Sequence, residues 1–583
     1  MKQWKRYKSY ILPYKSAFIL GPLMMVTEVL GEILLPKFMS MIINHGVAQK
    51  DGGYILKMGL VMAITSFLMA AGGILGAYFA AKASISFTSD LRRDLFARVQ
   101  QFSFKNIDTF STGSLVTRLT NDIQQVQNLI MMGLRMMLRA PGMFLGALVM
   151  AFWMNAELAA VILVVIPLLT AAIVWILRTA YPRFTAMQKA LDTLNSGIQE
   201  VLTNVRVVKS FVREDYEEKR FADTNRELKE AGLRALKIVI ATMPVMMFAM
   251  NVTTLAVVWF GGNLIIGGRM AVGDLTAFTT YIVQILMSLM MLSMVFLQSS
   301  RAMASIRRID EVLDEPIDLS DENASQKDRK VEKGRVEFKD VSFSYREGGE
   351  PVLSHISLTA EPGETIGILG ATGSGKTSLV QLIPRLYDVT EGSVRVDGID
   401  LREYSLKNLR DGVGMVLQKN VLFSGTIEEN LRWGDETATE EEVRRAAVYA
   451  QADSFVNSFA EGYKTEMGQG GVNVSGGQKQ RLCIARALLK KPKILILDDS
   501  TSAVDTATEA AIRTAFREDL KDTTKFIIAQ RLSSLEYADR ILVLEDGRII
   551  GEGTQEKLLA SCEAYREIYE TQYGKRADGE GMA

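Results

Sequence analysis

The sequence has few residues that could form disulfides or bind zinc. Its 583 residues include only two cysteines and two histidines, which are far apart in the chain: Cys483, Cys562, His45 and His355. No usual ligand spacing joins them, so neither a disulfide framework nor a Cys/His zinc site is expected. Net charge is also lacking, because 67 Lys and Arg residues balance 67 Asp and Glu residues. A generic basic nucleic-acid-binding protein is therefore disfavoured, and no nucleic-acid partner is expected.

Hydrophobic residues are abundant and unevenly distributed. They make up 48% of a sequence that is also 23% charged, and the mean hydropathy is +0.11. This average predicts two unlike halves. The first half contains apolar runs long enough to cross a lipid bilayer. We predict six spans, at about residues 16–43, 58–81, 138–156, 158–178, 238–262 and 275–300.

The connections between these spans are unequal. Spans three and four are nearly contiguous, whereas the loops at 82–137 and 179–237 are long, charged and rich in helix-favouring residues. By parity, both loops lie on the same side of the membrane as the two termini. They carry most of the Lys and Arg of this half, so the positive-inside rule predicts that this side is cytoplasmic.

Two acidic residues lie within the predicted first span. Glu28 and Glu32 are one helical turn apart and therefore share a face. Because ionisable residues inside spans commonly face a wet cavity, both are candidate contacts for a cationic substrate. The alternative is a role in helix packing or in pairing with Lys37. The 29 methionines leave a similar choice, between a promiscuous apolar binding wall and simple gap filling.

The chain becomes polar after the sixth span. Residues 316–333 (PIDLSDENASQKDRKVEK) are typical of a solvated linker and divide a transmembrane domain at 1–315 from a second domain at 334–583. In the second domain, short β-rich runs alternate with helical stretches, as in an α/β domain with buried strands. The predicted fold is an all-α, six-helix membrane domain fused to a cytoplasmic α/β domain.

A phosphate-binding pattern follows the predicted strand TIGIL. The segment GATGSGKT precedes a helix beginning SLVQLI, which is the context that a phosphate loop requires. Backbone N–H groups of this loop can surround phosphates, Lys376 can reach the terminal phosphates, and Thr377 can offer its hydroxyl to Mg²⁺. Asp498 ends the hydrophobic strand ILILD and can hold Mg²⁺, while Asp499 would face the γ-phosphate. The predicted loop residues are Gly370, Ala371, Thr372, Gly373, Ser374, Gly375, Lys376, Thr377 and Ser378.

A second motif narrows the class of nucleotide-binding protein to which the chain could belong. VSGGQKQR at 474–481 resembles the LSGGQ signature of ABC transporters, with Val474 as a mild departure. Nearly the whole chain resembles an ABC exporter half-transporter of the multidrug or lipid type, with a six-span domain fused ahead of a P-loop ABC ATPase domain. The resemblance extends to Tyr345 in VSFSY, to Gln418 in GMVLQKNVLFSGTI, and to SAVD, which ends at Asp505.

The resemblance implies ATP and Mg²⁺ as cofactors and a second half-transporter as partner. In this family each ATP lies between the phosphate loop of one domain and the signature of the other. Tyr345 would stack on adenine, and Asp505 would take part in communication between the domains. Gln418 would join Thr377 and Asp498 at Mg²⁺. Residues of the signature would grip the γ-phosphate at the partner's site: Ser475, Gly476, Gly477 and Gln478.

Two catalytic positions depart from the family pattern. The family usually has Glu after the Mg²⁺ aspartate, where this chain has Asp499. It usually has His in the switch segment, which is FIIAQRLSS at 526–534 in this chain and has Gln530 instead. Loss of a well-placed base commonly costs about 10²- to 10⁴-fold in rate. A site with Asp499, Gln530 and Gln418 as its catalytic residues is therefore predicted to bind ATP and hydrolyse it slowly. This favours pairing with a different half-transporter; a homodimer with a slow, Asp-dependent ATPase is the alternative.

The predicted function is ATP-driven export of hydrophobic or amphipathic compounds across a bacterial plasma membrane. The N-terminus and the ATPase domain would be cytoplasmic. An ATP-gated channel or a regulatory subunit is a function of another class, in which the altered site would act as a sensor. A soluble ATPase with similar motifs is excluded by the six predicted spans.

Overall fold

The computed structural model describes residues 2–322, 324–346, 348–499 and 504–574. They form two compact units. The first comprises residues 1–99 and 113–314, and the second comprises residues 100–112 and 315–583. A short segment of the N-terminal half, 100–112, thus packs with the C-terminal half rather than with its sequence neighbours.

The first unit is helical, and its apolar runs give the helices their length. Within the described residues, six helical stretches are long and apolar enough to cross a membrane: Lys5–Val47, Gly52–Gln100, Thr112–Met154, Ala156–Thr203, Met247–Ile266 and Val272–Leu292. The helices up to residue 314, including one that belongs to the second unit, are α1 Lys2–Ile11, α2 Lys15–Met41, α3 Gly52–Gln100, α4 Phe104–Thr109, α5 Thr112–Thr117, α6 Ile123–Met136, α7 Arg139–Met154, α8 Ala156–Thr203, α9 Val205–Ser210, α10 Glu214–Ile266 and α11 Val272–Asp314.

Several of these helices are much longer than a bilayer requires. α10 has 53 residues and therefore extends for about 80 Å at 1.5 Å per residue. The short connection between α7 and α8 is fixed by Asn155, whose side chain accepts a hydrogen bond from Leu158 N at 2.9 Å and caps α8. The core of this unit includes Phe278 and Tyr281, and Tyr281 donates its hydroxyl to Ile33 O at 2.8 Å. A buried hydroxyl is thus satisfied by a neighbouring helix.

The segment that joins the second unit is centred on α4. Ser103 caps this helix with a reciprocal capping box to Asn106. Asn106 Nδ2 also donates to Pro316 O at 2.9 Å, and Tyr387 donates its hydroxyl to Asp108 Oδ2 at 2.8 Å. These polar contacts explain why α4 packs with residues that lie more than two hundred positions further along the chain.

The second unit contains two main sheets. One is antiparallel, in the order β2-β1-β4-β5, and the other has six strands in the order β12-β11-β3-β10-β9-β6. In the six-stranded sheet only the edge pair β11–β12 is antiparallel. The strands are β1 Val336–Phe343, β2 Leu353–Ala360, β3 Thr365–Gly370, β4 Glu391–Val396, β5 Ile399–Asp400, β6 Val413–Val416, β7 Gly425–Thr426, β8 Glu466–Met467, β9 Ile494–Asp498, β10 Thr524–Ile528, β11 Arg540–Glu545 and β12 Arg548–Gly553.

Helices of the second unit follow α11 in the chain. They are α12 Lys376–Leu382, α13 Leu406–Asp411, α14 Ile427–Arg432, α15 Glu440–Tyr449, α16 Asp453–Val456, α17 Gly476–Leu489, α18 Thr506–Asp519, α19 Gln555–Ser561 and α20 Glu563–Tyr573. The parallel order β3-β10-β9 is the feature that positions the site. It brings together the carboxyl ends of these strands, at Gly370 and just before Gln530 and Asp499. Open α/β sheets bind ligands at this edge.

Candidate functional site

The phosphate loop leaves β3 at Gly370 and enters α12 at Lys376. Gly373 and Gly375 have φ values of +88° and +94°, a left-handed conformation that a residue with a Cβ adopts only with strain. Gly375 is also the N-cap of α12, and a Cβ there would lie 2.9 Å from Val352 O. The first N–H groups of a helix have no partner within it, so this turn presents donors to an anion.

Two side chains of the loop fit a phosphate ligand. The Oγ of Ser374 is buried and has no hydrogen-bond partner among the described residues. Lys376 Nζ donates to Gly370 O at 2.8 Å and to Ala371 O at 2.6 Å, so the ammonium is held over the loop. Burial lowers the pKa of Lys376, and the nearby Asp498 carboxylate opposes that shift. An anionic phosphate would supply the acceptor that this arrangement lacks.

The residues predicted to hold Mg²⁺ adjoin one another. Thr377 Oγ1 donates to Asp498 Oδ1 at 3.0 Å, and Asp498 is 2% exposed. Burial raises the pKa of Asp498. Gln418 hydrogen-bonds the next residue, Asp499. The hydroxyl and the carboxylate are therefore in direct contact, and the Gln418 amide contacts the residue next to that carboxylate. Oxygen ligands of this kind are those that Mg²⁺ prefers.

The two departures from the family pattern are in direct contact. Gln530 Nε2 donates to Asp499 Oδ2 at 3.0 Å. Burial raises the pKa of the Asp499 carboxyl, and the hydrogen bond from Gln530 opposes the rise. Asp499 has a φ of 49°, a left-handed conformation that Asp tolerates better than most residues. The short carboxylate is thus engaged by the amide of the switch segment.

Tyr345 lies just beyond β1, beside the start of α12. Its hydroxyl is 2.8 Å from Ser378 Oγ, and its ring packs edge-on against Phe343 and Tyr387, with centroid distances of 4.8 and 5.1 Å. The side chain remains partly exposed. An aromatic ring that is fixed on one side and open on another can stack on a flat base. Tyr387 in turn bonds Asp108 of α4, as described above.

The signature residues form the start of α17. Ser475 is the N-cap: its Oγ accepts from Gln478 N at 3.3 Å, and Gln478 Oε1 accepts from Ser475 N at 2.9 Å. Gly476 and Gly477 are the first two helical residues. Asp505 caps α18 in a similar way and accepts from Thr508 N at 3.0 Å. Among the described residues, no hydrogen bond joins Ser475 or Gln478 to the phosphate loop.

The candidate substrate residues in the membrane form an ion-pair cluster. Arg139, at the start of α7, lies 3.0 Å from Glu28 Oε1 and 3.3 Å from Glu32 Oε2. Lys37, considered above as a partner for the glutamates, instead lies 3.8 Å from Asp274 Oδ1. The alternative that pairs the two glutamates with Lys37 is therefore wrong, because their partner is Arg139. Two carboxylates and one guanidinium leave this cluster with a formal charge of −1.

No local pattern identifies Tyr387 and Asp108 as neighbours of the nucleotide-site residues. They are 279 positions apart, and only packing brings them together. Arg139 gives a partial signal, since it is a cation at the start of an apolar run. A cation in that place needs a counter-ion, and the acidic pair of the first span could have been matched to it.

The buried carboxylate of Asp498 is expected to destabilise the nucleotide-free protein at neutral pH. Its folded-state pKa is raised, so its contribution to stability is present below the unfolded pKa and is lost as the pH rises through the folded pKa. We expect Asp498→Asn, which can still accept from Thr377, to melt higher than the wild type at pH 7. Each 1 kcal/mol corresponds to about 2–4 °C for a domain of this size.

Thermal unfolding without nucleotide measures this difference, which should shrink toward pH 4. Added Mg²⁺ and ATP should reverse the order if Asp498 holds the metal as predicted, because the variant lacks that carboxylate. A variant that melts below the wild type at pH 7 without nucleotide would contradict the prediction.

Comparisons with known proteins agree with these features. Residues 18–289 match the family model of the ABC transporter transmembrane region, and residues 353–502 match that of the ABC transporter. The chain is 41% identical over 567 residues to "Uncharacterized ABC transporter ATP-binding protein YfiB" of Bacillus subtilis, covering 97% of this chain and 98% of that protein. It is 32% identical to "Putative multidrug export ATP-binding/permease protein YgaD" of the same species, covering 97% and 99%.

A solved structure shares the fold. The structure of a bacterial Atm1-family ABC exporter with ATP bound superposes with a TM-score of 0.78 at 26% identity, covering 97% of this chain and 99% of that one. The predicted fold class is thereby confirmed, as is a multi-pass membrane protein with a cytoplasmic ATPase domain. This chain belongs to the ABC transporter family, as an exporter whose transmembrane region and ATP-binding domain are fused in one polypeptide.

Proposed function

We propose that this chain is the slow-site subunit of a heterodimeric exporter of hydrophobic or amphipathic compounds. Its transmembrane domain would span residues 1–315, and its nucleotide-binding domain would span residues 334–583 after a linker. One observation carries the slow-site assignment: Asp499, which stands where the family has a catalytic Glu, is hydrogen-bonded by Gln530, which stands where the family has a His. The base and its partner are therefore altered together.

The proposal keeps ATP binding intact. The phosphate loop, with Lys376 and Ser374, would hold the phosphates, and Tyr345 would stack on adenine. Thr377, Asp498 and Gln418 would hold Mg²⁺, whose positive charge would offset the negative charge of the phosphates. This reading is supported by the unpartnered Ser374 Oγ and by the Thr377–Asp498 pair.

Slow hydrolysis follows from what Asp499 and Gln530 can do. An attacking water must be oriented by a base within hydrogen-bond reach. The Asp499 side chain is one methylene shorter than Glu and accepts a hydrogen bond from Gln530 and another from Gln418. The Gln530 amide can donate to the γ-phosphate but cannot carry a positive charge. We therefore expect this chain's own site to keep ATP bound while the partner's catalytically competent site completes many turnovers.

The signature at the start of α17 would serve the other site of the dimer. Its capped helix start presents N–H donors and a hydroxyl, which suit a γ-phosphate. A partner with Glu and His at the altered positions would then hydrolyse ATP at the site that this chain's signature completes. ABC exporters work as dimers in a membrane, and the non-identity of the partner is the proposed part.

The composition of the native complex tests the heterodimer. The chain is tagged in its own cells, extracted gently with its membrane, and analysed for mass and subunit content. Equimolar recovery of a second half-transporter of similar size would support the proposal. Recovery of this chain alone, as a dimer, would overturn it, and hydrolysis would then have to rely on Asp499.

The substrate class that we propose includes amphipathic cations. The cluster of Glu28, Glu32 and Arg139 has a formal charge of −1, and charges inside a membrane domain are retained there at a considerable energetic cost. A monovalent cation would neutralise the cluster without displacing Arg139. One relative, YgaD, is named as a multidrug export protein, which is consistent with a substrate of this kind.

Replacing both glutamates with glutamine should impair the transport of cations selectively. The Glu28→Gln/Glu32→Gln variant changes the charge of the cluster from −1 to +1. We expect uptake of a cationic dye into inverted vesicles to fall about 10-fold, equivalent to about 1.4 kcal/mol, while uptake of an uncharged dye is kept. Asp274→Asn, which neutralises a carboxylate of the same unit outside this cluster, is the control. Unchanged cation uptake would remove the electrostatic part of the proposal.

A further inference from the structure

Gln572, in the last turn of α20, contacts the switch segment with its side-chain amide. Gln572 Nε2 donates to Gln530 O at 2.8 Å, and Gln572 Oε1 accepts from Leu532 N at 2.9 Å. The donor and the acceptor of this amide thus each bind the backbone of one of the two residues that flank Arg531. We infer that Gln572 is a positioning residue, which holds the segment 530–532 so that Gln530 can reach the γ-phosphate.

The helix that carries Gln572 is firmly anchored. Tyr565 of α20 is completely buried in a core cluster that also contains Leu369, Leu532 and Leu558. Leu369 is the residue before the phosphate loop begins. The same cluster therefore fixes the end of β3, the switch segment and α20 relative to one another. A side chain on α20 can transmit this fixed position to the switch segment.

The Gln572 contacts act on the backbone, and Gln530 acts through its side chain. Gln572 hydrogen-bonds both the carbonyl of Gln530 and the N–H of Leu532. The peptide units around Arg531 therefore have little freedom to rotate. The side chain of Gln530 then leaves the segment in a defined direction, and its Nε2 lies 3.0 Å from Asp499 Oδ2. Without Gln572, we expect the segment to sample orientations in which Gln530 misses the γ-phosphate.

This inference rests on the proposed role of Gln530 as a γ-phosphate contact. Because that contact exists with ATP and not with ADP, the loss of Gln572 should weaken ATP binding selectively. A residue that only stabilised the fold would weaken both nucleotides alike. The net contribution of a hydrogen bond at a partly exposed site corresponds to about a 3- to 5-fold change in affinity.

Competition for photolabelling can measure this at the chain's own site. The full chain in its membrane complex is labelled with 8-azido-ATP, which reports on whichever subunit contacts the base. The half-maximal concentrations of competing ATP and ADP, with Mg²⁺, are then compared among variants. The set is wild type, Gln572→Ala, Gln572→Glu, Gln530→Ala and the Gln530→Ala/Gln572→Ala double variant. Thr571→Ala is the control, because among the described residues its hydroxyl bonds only within α20, to Glu567 O.

We expect Gln572→Ala to raise the half-maximal concentration of competing ATP about 3- to 5-fold and to leave that of ADP unchanged. Gln572→Glu keeps the acceptor for Leu532 N but loses the donor to Gln530 O, so it should be intermediate. The double variant should be no worse than Gln530→Ala, because the two residues act through one contact. Thr571→Ala should match the wild type. Unchanged ADP binding also shows that each variant is folded.

Other results would overturn the inference in distinguishable ways. Equal weakening of ATP and ADP would make Gln572 a stabilising residue only, and an additive double variant would make its effect independent of Gln530. If Gln530→Ala weakens ATP selectively and Gln572→Ala does not, the positioning role alone is wrong. If Gln530→Ala leaves the ATP-to-ADP ratio unchanged, the proposed role of Gln530 is wrong, and the inference falls with it.

Discussion

Restoring Glu at position 499 and His at position 530 is expected to raise ATP turnover at this chain's own site by about 100-fold. Asp499→Glu brings the carboxylate one methylene closer to the attacking water. Gln530→His replaces the amide that now bonds Asp499 Oδ2 with a side chain that can carry charge. The two changes belong together because the two side chains contact each other, so the single variants should each give much less than the double.

ATP hydrolysis by the purified complex, with the partner's own site inactivated, measures this effect. Asp499→Asn/Gln530→His is the matched control, since it supplies the His without a base. The left-handed φ of 49° at Asp499 is less favourable for Glu, so the double variant should also melt slightly lower. A wild-type site that already hydrolyses ATP as fast as the double variant would contradict the slow-site proposal.

A negative charge at the signature should abolish the main hydrolytic activity of the assembled transporter. Asp caps a helix about as well as Ser, so Ser475→Asp should preserve the start of α17, including the bond to Gln478 N. The added carboxylate would repel the γ-phosphate that the signature is proposed to bind. Removal of a single preorganised donor to a developing oxyanion already lowers kcat about 10²- to 10³-fold. We expect a loss of at least that size.

A cap outside the site provides the comparison. Thr554 caps α19 and accepts from Lys557 N at 3.4 Å, so Thr554→Asp makes the same kind of change away from the signature. Its ATPase rate should stay within about twofold of the wild type, as for other surface substitutions. If Ser475→Asp also stays near the wild-type rate, the start of α17 does not contact ATP in the working complex.

Comparing Asp499→Asn with Ser475→Asp distinguishes a heterodimer from a homodimer. In a heterodimer, Asp499→Asn in this chain should change the total rate little, because the partner's site provides the turnover, whereas Ser475→Asp removes it. In a homodimer both changes act on every site. The comparison therefore tests the proposed asymmetry by rate, independently of subunit composition.

The sequence determined by itself the properties that depend on contiguous residues. Apolar runs of bilayer length predicted a six-span domain, and the described residues contain six helices that are long and apolar enough to cross a membrane. This property can be predicted locally because a hydrocarbon layer acts on each segment separately. The alternation of strands and helices predicted the α/β unit for a similar reason. The phosphate loop is also local: one strand end, one turn with left-handed glycines and one helix start form it.

The tertiary structure alone decided which distant side chains meet. The partner of Glu28 and Glu32 is Arg139 rather than Lys37, because helix packing places α7 beside α2. Asp499 contacts Gln530 because β9 and β10 are adjacent in the sheet. Gln572 reaches the switch segment because the core under α20 fixes that helix. Such contacts depend on packing between segments far apart in the chain, which no local sequence period encodes.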